Sequence, residues 1–183
     1  MSDERHVFVM GRWQDNLPPP GTCLMIAEPV YGSTDSHDLV RLAVGRRIPS
    51  LIFMMPEDVW GLPHRPDQVL HWVKPVSTKN TVARYSRFVE AIACYGARFW
   101  VTFGQPLHWS NRTGIFTDGL LVQDHEWKKP ESIIERLVRN HYSGEESGVV
   151  YDPCAGSRTV EAVCRRLGIP SFSVDSGDHP DSK

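Results

Sequence analysis

The stretch Val149-Val-Tyr-Asp-Pro-Cys-Ala-Gly-Ser-Arg-Thr159 decides the fold. A short apolar strand runs into an acidic residue, then a turn of small residues, then a helix over Val160–Leu167. Small residues let a ligand approach the backbone, and the helix N-terminus offers free N–H groups to it. Beyond that helix, Ser171-Phe-Ser-Val-Asp175 reads as a further strand ending in a carboxylate. In doubly wound sheets an acidic residue at the end of the second strand holds the ribose hydroxyls of a nucleotide.

Working outward, Cys23-Leu-Met-Ile-Ala27 and Ile48-Pro-Ser-Leu-Ile-Phe-Met-Met55 are continuous apolar runs that suit strands buried on both faces. Val69–Val73, closed by Lys74-Pro75, and Phe99–Phe103 are further strand candidates. Helices fall between them. Asp35 opens one that leads into Leu39–Val44, and Pro56–Trp60 reads as a short helix with proline at its first position. Thr81–Tyr95 has Val82, Tyr85, Phe88, Val89 and Ile92 at spacings of three and four, which predicts a helix ended by Gly96. Pro130–His141 is amphipathic, with Ile133, Ile134, Leu137 and Val138 on one side. Residues 1–20 end in prolines and read as an extended lead-in, and residues 104–129 are the least regular part. The alternation predicts an α/β chain: one mostly parallel sheet with helices on both faces, in a single domain over residues 1–183.

Asp152-Pro-Cys-Ala-Gly-Ser-Arg-Thr159 resembles the Asp-Pro-Phe-Ala-Gly-Ser-Gly-Thr cofactor loop of the DNA amino-methyltransferases. Glu126-Trp-Lys-Lys-Pro-Glu-Ser-Ile-Ile-Glu-Arg-Leu137 is similar to the Lys-Pro helix that precedes that loop in the family. Ile26-Ala-Glu-Pro-Val-Tyr-Gly32 follows a buried strand as the family's Asp-Pro-Pro-Tyr catalytic loop does. Catalytic loop first and cofactor loop last is the permuted order of the β-class members. The resemblance covers Thr22–Asp175 and implies a Rossmann-like, S-adenosylmethionine-dependent methyltransferase fold.

It also implies a chemistry: methyl transfer from S-adenosylmethionine to the exocyclic amine of adenine (N6) or cytosine (N4) in DNA, on a base flipped into a pocket. On that pattern Glu28 accepts a hydrogen bond from the amine, the Pro29 carbonyl accepts another, and Tyr31 stacks on the base. Asp152, Pro153, Ala155, Gly156, Ser157 and Thr159 form the cofactor loop, with Asp175 on the cofactor ribose. Lys129 and Pro130 help close the pocket. Positioning and electrostatics suffice, so the resemblance implies no metal. Three positions depart from the pattern. Glu28 is one methylene longer than the family's Asp, enough to move an acceptor by about an ångström. Val30 replaces a proline, adding a backbone N–H. Arg158 replaces a glycine, which matters if that position has positive φ.

Composition bounds the rest. With 40 % hydrophobic and 23 % charged residues, the chain is of ordinary globular type. No apolar run suits a membrane span, and the polar N-terminus lacks a signal-peptide core, so a cytoplasmic protein is expected. Cys23, Cys94, Cys154 and Cys164 form no Cys-x-x-Cys pair, and the eight histidines form no ligand spacing, so no metal site is expected. Net charge is −2, but Arg65–Arg139 carries 11 Lys and Arg against 7 Asp and Glu, a mild local basic bias. Within it Lys79 is a candidate phosphate contact, and Asn111 and Arg112 are candidate contacts to phosphate or base edges. Trp60, Trp72, Trp100 and Trp109 read as core or interface residues. Residues 109–128 are too few for a large recognition domain. DNA is thus the expected partner, with loose sequence preference, a homodimer, or recognition by a second subunit; a phage origin suits so compact a layout. The alternative is a relative that keeps the fold and binds DNA, cofactor or a protein without catalysis, or that runs another reaction on the same scaffold.

Overall fold

The computed structural model describes residues 5–78, 87–97, 114–117, 128–144 and 147–177. The apolar run of Thr22–Ala27 (β2) forms a strand with Leu24–Ala27 wholly buried, because neither face of it meets water. The chain then forms helix Asp35–Arg46 (α1), strand Ser50–Met54 (β3) and a short 3-10 helix over Pro56–Gly61. Strands Gln68–Thr78 (β4), Arg87–Tyr95 (β5) and Ile115–Phe116 (β6) follow. Helix Glu131–His141 (α2), strand Val149–Asp152 (β7), helix Thr159–Leu167 (α3) and strand Ser171–Asp175 (β8) complete the order that begins with strand His6–Met10 (β1).

Among the described residues, eight strands join one sheet in the order β1-β8-β7-β2-β3-β5-β4-β6. Only β5 runs antiparallel to its neighbours; the other pairings are parallel. Period-2 alternation sends successive side chains to two different cores. On one face Ile26, Phe53, Ile92 and Val150 pack under α2 and α3, through Ile133, Leu137, Val160 and Val163. On the other, Met25, Ile52, Ala91, Ala93 and Tyr151 pack under Leu39, Val40 and Ala43 of α1. The expected α/β sheet with helices on both faces is what the chain forms.

Several elements differ from the sequence expectation. Arg87–Tyr95 is a strand, not the end of a helix; residues 81–86 lie outside the described residues. Short apolar runs satisfy either period, and β5 is decided by its place between β3 and β4, where its backbone pairs on both edges. Its small Ala91 and Ala93 face the α1 side while Ile92 faces the other, as only a strand allows. The lead-in contains β1, which pairs in register with β8 from His6↔Ser171 to Met10↔Asp175. Strand β4 continues past Pro75, with a shift of register between Val73 and Thr78. Trp72 is buried as expected of a core residue, whereas Trp60 is 92 % exposed and belongs to no core. The expected strand Phe99–Phe103 and the residues Trp100 and Trp109 lie outside the described residues, as does most of 104–129; within that stretch Ile115 and Phe116 pair with His71 and Trp72.

The topology creates one crevice. Strand β7 passes through α3 outward to β8, and β2 passes through α1 outward to β3, with α3 and α1 on opposite faces. The connections diverge between β7 and β2, and at such a switch point the loops leaving the carboxyl ends part and leave room for a ligand. The Ile92→Ala substitution tests the central place of β5. It should lower unfolding stability by about 2–5 kcal/mol in urea titrations, as for a wholly buried side chain; a loss near zero would contradict it.

Candidate active site

Two loops flank the crevice. The first leaves β2 at Glu28-Pro-Val-Tyr31, where Pro29 is buried and Val30 half exposed. The second leaves β7 at Asp152. There the Asp152 Oδ1 accepts the Cys154 N–H at 3.1 Å, the Ala155 N–H donates to the Val174 carbonyl at 2.8 Å, and the Arg158 N–H donates to the Ala155 carbonyl at 2.6 Å. These bonds tie the turn to β8 and close it onto α3. Ser157 and Thr159 share a hydroxyl hydrogen bond of 2.9 Å at the start of that helix.

A third element approaches from the same face. The apolar side of α2 docks on the core, so Lys129, two residues before it, is held over the crevice. Its ammonium, 5 % exposed, donates to Glu28 Oε1 and sits 3.2 Å from Glu90 Oε2. The rings of Phe53, Tyr31 and Trp72 surround it, with centres 5.5–5.6 Å away, at cation–π range. Glu90, on β5, is buried; it also pairs with Lys74 and accepts the Tyr31 phenol at 2.6 Å.

Charge balance sets the protonation of this cluster. Burial works against charge on Lys129, but Glu28 and Glu90 outweigh it and hold the ammonium above its ordinary range. For Glu90, burial is likewise outweighed, by Lys129 and Lys74, and the carboxyl lies below its ordinary range. Glu28 keeps 29 % of its side-chain surface exposed, yet its carboxyl lies under protein, and burial raises it against the pull of Lys129. Burial first, then Glu28 and Glu90, hold the Tyr31 phenol protonated as a donor.

Glu28, Lys129, Asp152, Ala155, Ser157 and Thr159 line one cavity, open to solvent, together with Ile26, Phe53, Ile134, Cys154 and Val160. Sequence reasoning singled out the first six. Pro29, Tyr31, Pro130, Pro153 and Gly156 sit in the same loops without lining it. Asp175 ends β8 beyond it, its carboxylate accepting the Gly177 N–H at 3.0 Å. Lys79, Asn111 and Arg112 lie outside the described residues. Among the described residues, no three His, Cys, Asp or Glu side chains are placed to hold a metal ion.

Arg158 resolves one departure. It takes φ 57°, ψ 29°, the left-handed region where a glycine is at ease and an L side chain loses about 1–2 kcal/mol. Its side chain turns away from the cavity. The guanidinium donates twice to Glu161, at 2.8 Å each, and lies 4.2 Å from the Phe8 ring centre on β1. Sequence reasoning missed Glu90, Lys74 and Phe53. Glu90 is the one charge within the apolar run 88–95, a signal that a helical reading of the segment sent to a solvent face.

No protein-family model matches the chain, and no curated protein does. Solved structures do. M1.HpyAVI in complex with SAM superposes with a TM-score of 0.66 at 15 % identity, over 93 % of each chain. TTHA0409 from Thermus thermophilus, whose suggested role is DNA modification methylase, complexed with S-adenosyl-L-methionine, gives 0.65 at 18 % identity over 94 % of this chain and 88 % of that one. The cytosine-N4-specific PvuII DNA methyltransferase gives 0.60 at 12 % identity, over 93 % and 83 %. At these identities the likeness establishes the fold alone: the Rossmann-like architecture that those structures share.

Asp152 carries a pH signature. Burial first, then Glu28 and Asp175, raise its carboxyl from 3.8 to about 8, although the Cys154 N–H opposes them. The folded protein therefore binds a proton that the unfolded chain releases, and this group's stabilising contribution is lost as pH rises from about 4 to about 8. Between pH 5 and 8, urea unfolding of the wild type should lose at least about 1.4 kcal/mol relative to Asp152→Asn. A constant difference would show the carboxyl ionised throughout.

Proposed function

We propose that the protein transfers a methyl group from S-adenosylmethionine to an exocyclic amine, N6 of adenine or N4 of cytosine, in DNA. One observation carries this: across the switch point, the Glu28 loop and the Asp152–Thr159 loop, more than a hundred residues apart, line the same cavity. Two structures of the same fold were solved with this cofactor, and another acts on cytosine N4.

The residues present suit the cofactor. Glu28 and Asp152 put carboxyl groups on a cavity that would receive its sulfonium and ammonium charges, and Ser157, Thr159 and the start of α3 add hydrogen-bonding groups. On this reading Pro153, Ala155 and Gly156 would keep the loop slim along its methionine part, Asp175 would take its ribose, and Lys129 with Pro130 would cover it. When bound, it supplies an electrophilic methyl carbon: the amine lone pair forms the N–C bond, the S–C bond breaks, and its electrons stay on sulfur.

The chain's task is then to orient the amine. Lys129 holds Oε1 of Glu28, leaving Oε2 to accept an amine N–H; the Pro29 carbonyl accepts the second, and Tyr31 stacks on the flipped base. Keeping the nitrogen lone pair aimed at the methyl needs no general base, and the surplus proton leaves after transfer. A cytoplasmic, DNA-bound role belongs to the same reading.

Two observations favour a second reading, a protein that binds DNA, cofactor or a partner without transfer. Lys129 already occupies a Glu28 oxygen, and Arg158 holds the cofactor loop in a strained turn. Calorimetric titration with S-adenosylmethionine, followed by transfer of labelled methyl to DNA, separates the two. We expect micromolar binding, and we expect Glu28→Gln to keep that binding while losing at least ~100-fold in transfer. Absence of binding at millimolar cofactor, by folded protein, would sink the enzyme reading. Binding without transfer, with transfer appearing in the combined Glu28→Asp, Val30→Pro, Arg158→Gly variant, would establish the second.

A further inference from the structure

We infer that Glu90 is a positioning residue of the transfer site, aligning the stacking ring of Tyr31 directly and the acceptor carboxyl of Glu28 through Lys129. The inference rests on the methyl-transfer reading above. Glu90 belongs to neither loop that flanks the crevice; it reaches the site from β5, 2 % exposed, in the middle of the sheet. Both of its oxygens are used. Oε1 meets the Lys74 ammonium, while Oε2 takes the Tyr31 phenol at 2.6 Å and the Lys129 ammonium at 3.2 Å. A salt bridge that served only to neutralise Lys74 would have no need of the phenol or of a second cation.

The geometry gives each contact a consequence. A tyrosine ring held only at Cβ swings about its side-chain torsions, whereas a ring also pinned at its phenol has both ends fixed. Tyr31 is pinned in this way, with Lys129 5.6 Å from its ring centre. Glu28 has one more torsion than an aspartate would. Lys129 removes that freedom by holding Oε1, and among the described residues Oε2 carries no hydrogen bond. Lys129 is in turn held by Glu90. One buried carboxylate thus anchors two groups of the proposed transfer site, and it offsets the added length of Glu28.

Glu90→Gln keeps the size and can still accept from the phenol, but its amide presents N–H donors to an ammonium. Transfer of labelled methyl to unmethylated plasmid DNA should fall about 10- to 100-fold in kcat, the scale of an ångström's misplacement. Cofactor affinity by calorimetry should change little, because Glu90 does not line the cavity. Tyr31→Phe, which removes only the phenol, should lose less, and its loss should add to that of Glu90→Gln, whose amide can still receive the phenol. The pH profile supplies a readout that mere loss of packing would not move. The groups facing Glu90 are Lys74 from β4, Lys129 before α2, and Tyr31, with Glu28 beyond Lys129. Without the carboxylate Lys129 loses one of the two anions that hold its proton, so the fall of kcat at alkaline pH should set in at lower pH in the variant than in the wild type. Wild-type kcat and an unchanged profile in folded Glu90→Gln overturn the inference and leave the transfer reading standing. If Glu90→Gln does not fold, wild-type kcat in Tyr31→Phe overturns it instead. A wild type that binds cofactor but labels no DNA overturns the transfer reading, and the inference with it.

Discussion

A lysine ammonium buried among three aromatic rings is tolerable only with carboxylates beside it, and that requirement organises this end of the molecule. Lys129 reaches the crevice because α2 buries its apolar side on the sheet. Once there it needs Glu28 from the loop after β2 and Glu90 from β5, since an unpaired buried charge is worth several kcal/mol against folding. Glu90 in turn balances Lys74 on β4. Two cations and two anions therefore link four parts of the chain, and none of the four can shift without leaving a charge bare. Such a cluster contributes little net stability compared with an apolar one of the same shape. Its effect is to hold side chains in one arrangement.

The sheet supplies the other constraint. Parallel pairing in register brings the carboxyl ends of β1, β8, β7 and β2 to one rim, and the divergence of α1 and α3 opens that rim between β7 and β2. The acidic residues Glu28, Asp152 and Asp175 all sit at strand ends there. Their mutual proximity, together with burial, is why Asp152 holds its proton near neutrality. Burial disfavours charge of either sign, but the crowding of Glu28, Asp152 and Asp175 favours a positively charged ligand, which matches the charge of the proposed cofactor. Arg158 shows how the loop accommodates an unusual residue: the backbone accepts a left-handed conformation, and the side chain is held outside by Glu161 and Phe8. The cavity side of the turn stays lined by Ala155, Ser157 and Thr159.

Much of this was legible in the amino-acid order alone. Continuous apolar runs at Cys23–Ala27, Ile48–Met55 and Val149–Tyr151 suit strands covered on both faces, and strands form within them. The small-residue turn at Pro153–Ser157 and the carboxylate at Asp175 follow from local rules, and so does the amphipathic helix after Pro130. Six residues that line the cavity were singled out by the resemblance of their segments to the family's loops. These features are local: a strand, a turn or a helix stripe is written within a dozen residues.

Only the tertiary structure decided the rest. Residues 87–95 satisfy a helical spacing as well as a strand, and they became a strand because β3 and β4 offered hydrogen bonds on both sides. That choice turned Glu90 from a surface residue into a buried one and brought it to Tyr31 and Lys129, which are 59 and 39 residues away along the chain. The strand at His6–Met10 likewise exists only because β8 has an edge to pair with. Local sequence specifies which segments must be buried and where the chain must turn. Which carboxylate meets which ammonium depends on how distant strands pair, a property of the whole sheet.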